Sequence, residues 1–381
     1  MKDKKDLLPV ICCEGESRDC GCGSAEQQEQ SYTAADYPWQ DGLLKTSVGL
    51  VPRVATGLER RDILGGWKAR WGVGRMDYRI PPGLYALGEP DHNSPVLVSG
   101  NYKLSFDSLR RELSGFNLWL IIIDTKGINV WCAAGKGTFG TGEIVQLIEK
   151  VCLKDLVAHR EIILPQLAAP GVAAHAVFRQ SGFKVIYGPV RARDIPPFLQ
   201  MGCKAKPPMR EVSFTLGERL QVIPVELMLM VKPILGIFLA LLLLNSLVLL
   251  LDGASPASAV LLVQTLAHVA PFLGAILIGT ILVPVLLPYI PGRAFAWKGF
   301  LLGLLWTLAF VLFIAPPAGW LQTTSYFLLL PAIAAFLSMN FTGASTYTSL
   351  SGVVKEMAIA LPYIVISTGL GICGLIVSRF V

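Results

Sequence analysis

Charge is what the second half of this chain lacks. From residue 233 to residue 381 only six side chains are charged: Asp252, Arg293, Lys298, Lys355, Glu356 and Arg379. So little charge excludes a solvated globular domain there and leaves a membrane domain, because a bilayer core accepts apolar helices and rejects unpaired ions. No carboxylate sits inside the apolar runs to pair with His268. That histidine is then either a proton relay or, more plainly, a polar group bonded to a neighbouring helix or placed near an interface. With few polar residues besides Asn245, Gln264 and Asn340, this half reads as an anchor or docking platform.

Other absences narrow the first half. The start "MKDKKDLLPVICCEGES" has no apolar core long enough for a secretory signal, so a reducing cytoplasm is expected, with cysteines available for metals or chemistry. The eight cysteines form no regular disulfide framework. Four of them, Cys12, Cys13, Cys20 and Cys22, fall within "CCEGESRDCGC", which matches neither a zinc ribbon nor a ferredoxin cluster motif. They leave two readings open: a soft-metal site for zinc, copper(I) or mercury(II), or a dispensable tail. The formal net charge of +6 needs no nucleic acid to explain it. "ERR" at 59–61 and "KAR" at 68–70 read as solvated faces, with anionic headgroups as the lesser alternative.

What is present is 381 residues, 53% of them hydrophobic, unevenly distributed. Residues 1–45 read as a flexible Cys-containing tail, 46–205 as a soluble domain, 206–230 as a proline-containing linker and 231–381 as a membrane domain. Spanning runs of roughly 20 residues are expected at 233–251, 297–315, 325–341 and 357–377. The run 258–290, holding Pro271, Pro284 and Pro288, adds one kinked span, five in all. Arg293, Lys298 and Lys355 lie in alternate loops, and basic loops stay in the cytoplasm, so the soluble domain is expected on the cytoplasmic side of the inner membrane.

Within 46–205, strands at "PVLVS" (95–99), "NLWLIIID" (117–124), "EIILP" and "KVIYGP" alternate with helical patterns. The helices are "FDSLRREL" capped by Ser105, "GTGEIVQLIEKVCLKDLVAHR" (140–160) and "VAAHAVFRQSG". That alternation argues for an α/β domain with a mainly parallel sheet. His159 and His175 fall on helical segments and read as packed or solvated, while Cys152, Cys203 and Cys373 read as structural.

The informative turn is "NVWCAAGKGTFG" (129–140), where an apolar strand gives way to a glycine-rich loop and a helix. "GKGTFG" satisfies G-x-G-x-x-G, but the next strand ends in Pro165-Gln166, without the acidic residue that would hold a ribose. The P-loop spacing fails, and no arginine closes a phosphatase-like loop around the thiol. A cysteine beside a helix start and a lysine is expected to carry thiolate. Ala133, Ala134 and Gly135 would let a large flat group descend on the sulfur. The other open reading is a buried structural cysteine packed as a small hydrophobe.

"NVWCAAGK" (129–136) resembles the signature of the HgcA family, the membrane-bound corrinoid proteins of microbial mercury methylation. The flanking "SPVLVSGNYKLSFDSLRREL" and "LPQLAAPGVAAHAVFRQSGFKVIYGPVRARDIPPFL" are similar to the corrinoid-binding domain of the corrinoid iron–sulfur protein, large subunit. The resemblance covers about residues 90–381 and leaves the thiol-rich tail unmatched. It implies an α/β corrinoid-binding domain with a cap helix, followed by an all-α transmembrane domain of about five helices.

By the resemblance, Cys132 is the lower axial ligand of cobalt in a base-off, cobalamin-type corrinoid, and Asn129, Val130, Trp131, Ala133, Ala134, Gly135 and Lys136 shape the cap helix beneath it. Trp131 is expected to pack under the sheet. Gly171 in "AAPG" (168–171) and the "YGP" turn (187–189) are weaker candidates for cofactor contact, with core turns as the plainer reading. The implied reaction moves a methyl group as a carbanion equivalent to Hg(II), making methylmercury. The implied partners are a small ferredoxin with two [4Fe–4S] clusters as electron donor and a methyl donor of folate or corrinoid-protein type. Two competing readings remain. One is a membrane-anchored nicotinamide or flavin oxidoreductase using "GKGTFG"; the other is a ligand sensor signalling through the spans.

Overall fold

Leu118–Ile123, six consecutive buried residues, form the central strand of the α/β unit. A strand buried on both faces must be apolar at every position, which is why this run shows no alternation in the sequence. In the computed structural model the described residues are 37–251, 258–314, 319–344 and 350–380, so Cys12, Cys13, Cys20 and Cys22 lie outside them. The chain forms two compact units, one of residues 37–69 and 73–212, the other of residues 70–72 with the described residues from 213 on.

The first unit is a seven-stranded sheet flanked by helices. In chain order its elements are β1 (Gln40–Thr46), β2 (Gly49–Val54), α1 (Arg60–Arg70), β3 (Gly83–Leu87), β4 (Val96–Gly100), α2 (Lys103–Glu112), β5 (Leu118–Ile123), α3 (Val130–Lys136), α4 (Thr141–Lys150), α5 (Leu153–Leu156), β6 (Glu161–Leu164), α6 (Ala174–Ser181), β7 (Lys184–Tyr187) and α7 (Ile195–Gln200). The strand order is β1-β2-β3-β5-β4-β6-β7. β4 pairs in parallel with both β5 and β6, and β6 with β7. The β1–β2 and β3–β5 pairs are antiparallel. The expected α/β architecture, mainly parallel and followed by five apolar helices, is the one observed.

Alternate residues of the strands fill two cores. Val96, Val98, Trp119, Ile121 and Ile123 face Phe139, Ile144, Ile148, Val177 and Phe183 on one side. Leu97, Leu118, Leu120 and Ile122 face Phe106, Leu109 and Phe198 on the other.

Several boundaries differ from the sequence reading. The tail expected to run to residue 45 ends earlier, because β1 begins at Gln40. Buried Trp39 draws the chain in, its ring edge-on to Tyr85 and Phe106 at 5.5 and 5.1 Å. Ser105 lies inside the first turn of α2 rather than capping it, and Tyr102 occupies the N-cap. The single helix expected over 140–160 is broken in two. Cys152 adopts the left-handed φ of 48°, which ends α4 and starts α5, and leaves His159 in the loop before β6 rather than on a helix.

The linker expected over 206–230 gives way to helix at Leu216, where α8 (Leu216–Leu251) begins. Glu218 accepts from the Thr215 N–H at 2.6 Å, one arm of a T-x-x-E capping box that sets the helix start ahead of Pro224. The second unit continues with α9 (Ser258–Leu277), α10 (Val283–Leu286), α11 (Phe295–Ala309), α12 (Trp320–Asn340) and α13 (Leu350–Val377). Five helical stretches are long and apolar enough to cross a membrane: Leu216–Leu251, Ala259–Leu286, Phe295–Ile314, Trp320–Asn340 and Ser351–Val377. The run expected as one kinked span is one stretch in which a π-turn at Ile278–Leu282 joins α9 to α10.

With no hydrophobic force between helices in lipid, close packing and polar contacts hold such helices together. A Cβ on Gly303 of α11 would come within 2.8 Å of Pro331 Cα on α12, so only glycine allows that approach. Asn245 Nδ2 donates to Thr265 Oγ1 at 3.0 Å, tying α8 to α9.

Candidate functional site

The chain leaves β4 toward β5 on one side, then crosses back to β6 on the other. Such a reversal opens a crevice beyond the carboxyl ends of the strands, where ligands settle on open α/β sheets. Helix α3 lies there, packed against the carboxyl end of β4 and the 3-10 turn Gln166–Ala168 that follows β6.

A buried asparagine builds the approach to α3. Asn101, just past β4 and 1% exposed, accepts through Oδ1 from the Thr125 N–H at 3.1 Å, the Thr125 hydroxyl at 2.9 Å and the Gly127 N–H at 3.1 Å. Its Nδ2 donates to Asp124 Oδ1 at 2.8 Å. The loop it gathers turns sharply, with Lys126 at φ 56° and Gly127 at φ 75°. Gly127 is required twice over, since a Cβ there would also meet the Met76 carbonyl oxygen at 2.6 Å. The sequence reading passed over Asn101; a buried amide beside a strand end carries no motif by which to find it.

α3 is pinned at both ends. Asn129 is its N-cap, and its Oδ1 accepts from the Cys132 N–H at 2.9 Å. Gly137 ends the helix in the left-handed region at φ 76°, where glycine carries no steric penalty. Phe139, fully buried, plugs the following turn into the core. The two faces of this short helix then differ. Val130, Ala133 and Ala134, spaced three and four apart, are buried against the domain. Cys132, Gly135 and Lys136, with the same spacing, share the outward face: Cys132 half-buried with a free thiol, Gly135 and Lys136 exposed. A Cβ built on Gly135 meets nothing within 4 Å among the described residues, so the surface beside the sulfur is bare backbone. Trp131 is half-buried at the edge between the faces.

Gly171 sits on the inner side. A Cβ there would fall 2.6 Å from Phe139 O, 2.9 Å from Ala134 O and 3.0 Å from Ala134 Cα. Its missing side chain lets the backbone of α3 rest directly on the 168–171 turn. The Tyr187 hydroxyl donates to Val172 O at 2.8 Å and ties the "YGP" turn to the same support. His159 Nε2 lies 2.9 Å from Ser94 O, and His175 is exposed on α6. Among the described residues no three His, Cys, Asp or Glu side chains gather as a metal site.

The geometry counts against a dinucleotide loop. "GKGTFG" (135–140) spans the turn between helices α3 and α4, whereas the fingerprint requires glycines in the turn directly after a strand. The Glu143 carboxylate stands at the start of α4, 2.7 Å from a Cβ built on Gly140, where a pyrophosphate would meet like charge.

Comparison with known proteins bears on this same region. The family described as CdhD, CO dehydrogenase/acetyl-CoA synthase delta subunit, matches residues 74–199. The gamma subunit of the acetyl-CoA decarbonylase/synthase complex from Methanopyrus kandleri is 36% identical over 129 residues, 33% of this chain and 27% of that protein. The gamma subunit from Methanocaldococcus jannaschii is 38% identical over 97 residues, 25% of this chain and 20% of that protein. A gamma 2 subunit from Methanosarcina thermophila is 34% identical over 130 residues, 33% of this chain and 27% of that protein. The chain thus spans about a quarter of the length of these curated relatives, and the family match over 74–199 takes in the part of the sheet domain that carries Asn101, α3 and Gly171.

Proposed function

We propose that this is a membrane-held corrinoid protein that transfers methyl groups, with Cys132 as the side chain facing the cobalt. The outward face of α3 carries the reading: a free thiol, a glycine with open space above it and a lysine, on a helix lying over the carboxyl ends of β4 and β6. Similarity to subunits of acetyl-CoA decarbonylase/synthase supports the coarser part, corrinoid binding and methyl transfer. "NVWCAAGK" supports the finer part, a Cys-ligated, base-off corrinoid and Hg(II) as methyl acceptor.

The residues present fit such a group. A flat macrocycle needs an approach free of side chains, and Gly135 leaves one beside the sulfur. A cysteine sulfur is an electron-rich ligand for a transition metal. When bound, the corrinoid would supply a cobalt-held methyl group that an electrophile such as Hg(II) can take as a carbanion equivalent.

The protein's share is positional. Asn129 caps the Cys132 N–H and so fixes the first turn of the helix that carries the sulfur. Lys136, one turn on, holds positive charge on the same face as the sulfur. Val130, Ala133 and Ala134 lock the helix to the domain so that the sulfur cannot swing away. Gly171 and the Asn101 cluster hold the helix from beneath rather than touching the ligand. Electrons come from a small ferredoxin with two [4Fe–4S] clusters, and the methyl group from a folate-type or corrinoid-protein donor. The soluble unit lies in the cytoplasm beside the inner membrane. The tail thiols Cys12, Cys13, Cys20 and Cys22 are candidates to hand over Hg(II).

The decisive experiment is the absorption spectrum of the full-length protein reconstituted with cobalamin. Native protein should show sulfur-ligated, base-off cobalt, and Cys132→Ser and Cys132→Ala should lose that signature while staying in the membrane. Cys132→Ala should also stop methylmercury formation. A spectrum indifferent to both substitutions would overturn the ligand assignment.

A further inference from the structure

Helix α1 turns its bulky apolar residues away from its own domain. The residues it buries are Asp62, Gly66 and Ala69, and the bulky apolar residues on its other side face outward. Ile63 is 51% exposed, Leu64 62% and Trp67 62%. At 100° per residue these three fall on one stripe, and the turn that follows leaves Val73 and Met76 exposed as well.

The helix cannot rotate to bury that stripe. Asp62 is anchored by Lys103 Nζ at 2.6 Å and Arg110 Nη2 at 2.7 Å, and turning it outward would break both ion pairs and leave the two cations only Asp107. Glycine is needed on the inner side, since a Cβ at Gly65 would fall 2.7 Å from the Tyr78 ring. The outward stripe is therefore a consequence of the packing.

The exposed charges that α1 itself carries have one sign. Arg60 precedes the stripe on the same face and Lys68 flanks it, both exposed, as is Arg61, which pairs with Glu59 at 2.8 Å; the one acid within α1, Asp62, is spent inside. An apolar stripe bearing tryptophan and rimmed by Arg and Lys matches the headgroup boundary of an anionic bilayer, where apolar side chains enter the acyl edge and cations stay with phosphates. The same chain carries five helices long and apolar enough to cross a membrane, so that surface is tethered to this domain at high effective concentration.

We propose that α1 lies in the plane of the membrane as an interfacial helix, with Ile63, Leu64 and Trp67 inserted at the acyl boundary and Arg60 and Lys68 on anionic headgroups. This goes beyond the corrinoid reading and does not depend on it; it depends on the chain residing in a bilayer, which incorporation into nanodiscs checks separately.

The test places the photocrosslinker p-benzoylphenylalanine at position 64 of the full-length protein, in nanodiscs of mixed phosphatidylcholine and phosphatidylglycerol. Exposed position 178 on α6 serves as control. The expected result is lipid adducts on the peptide carrying position 64 and none at 178. Replacing the anionic lipid, or introducing Lys68→Gln, should lower the yield by up to about five-fold. Adducts to protein alone, to this chain or a second copy, would overturn the proposal. So would no adduct at 64, equal lipid labelling at 178, or indifference to lipid charge.

Discussion

Replacing Gly171 with alanine tests how α3 is held. The added Cβ would lie 2.6 Å from Phe139 O and 2.9 Å from Ala134 O, both backbone atoms that cannot turn aside. Relief requires α3 to lift from its seat by several tenths of an ångström, an overpacking cost of about 1–3 kcal/mol. For a domain of this size that lowers the melting transition by roughly 2–4 °C per kcal/mol. The same displacement carries Cys132 with it, so the sulfur-ligated cobalt signature should weaken together with stability.

Gly135→Ala is the matched opposite. Its Cβ meets nothing within 4 Å, and within a helix alanine is about 0.5–1 kcal/mol better than glycine. The ligand-free protein should melt slightly higher, yet the methyl group now occupies the surface beside the sulfur and corrinoid binding should fall. Differential scanning fluorimetry and cobalamin absorption on the two full-length variants read both quantities. An unchanged midpoint in Gly171→Ala would refute the seating of α3 on that turn. A lowered midpoint with an unchanged spectrum would refute the link from Gly171 to Cys132.

The remaining expectations concern the supports of the site. Asn101→Ala leaves the buried Thr125 and Gly127 N–H groups without their acceptor, at about 1–3 kcal/mol each; hydrogen exchange should speed up at those two amides first, and unchanged protection would count against the asparagine as organiser. Burial raises the Asp62 carboxyl, but hydrogen bonds from Lys103, the Glu59 N–H and Arg110 outweigh it and leave its pKa below the ordinary 3.8. With the folded value depressed, the stabilisation is fully present above the unfolded pKa and is lost as pH falls through the folded one, so acid unfolding should set in below about pH 4. Asp62→Asn should flatten that dependence. Arg110→Met leaves buried Asp62 and Asp107 with Lys103 as their one remaining ion-pair partner, at up to about 3–5 kcal/mol near neutral pH, and the penalty should shrink in acid; a pH-independent penalty would mean the ion pairs are not its source.

How much was legible beforehand followed the range of the interactions. The five apolar runs and β5 were visible because a fully buried element must be apolar at every position, whatever its neighbours. The turn at Cys132 was visible through its unusual composition, and Asn129 at its start is a residue type that favours helix caps. Element ends were harder. Cys152 breaks a helical pattern through one left-handed residue, and nothing in "KVCLKD" marks it. Trp39 extends the sheet backward only because Tyr85 and Phe106, far along the chain, await its ring. The start of α8 was readable in principle, since the T-x-x-E box at Thr215–Glu218 is local, but Pro224 drew attention away from it.

By itself the sequence determined which segments leave water, that strands alternate with helices before them, and that one thiol stands among very small residues. All three depend on composition and short-range spacing. Tertiary structure alone decided which way that thiol faces, that Gly171 supports α3 from beneath, that Asn101 gathers the approach loop, and that α1 turns its apolar side outward. Each depends on partners dozens of residues away. Their proximity is set by the order in which strands enter the sheet, which no local pattern encodes.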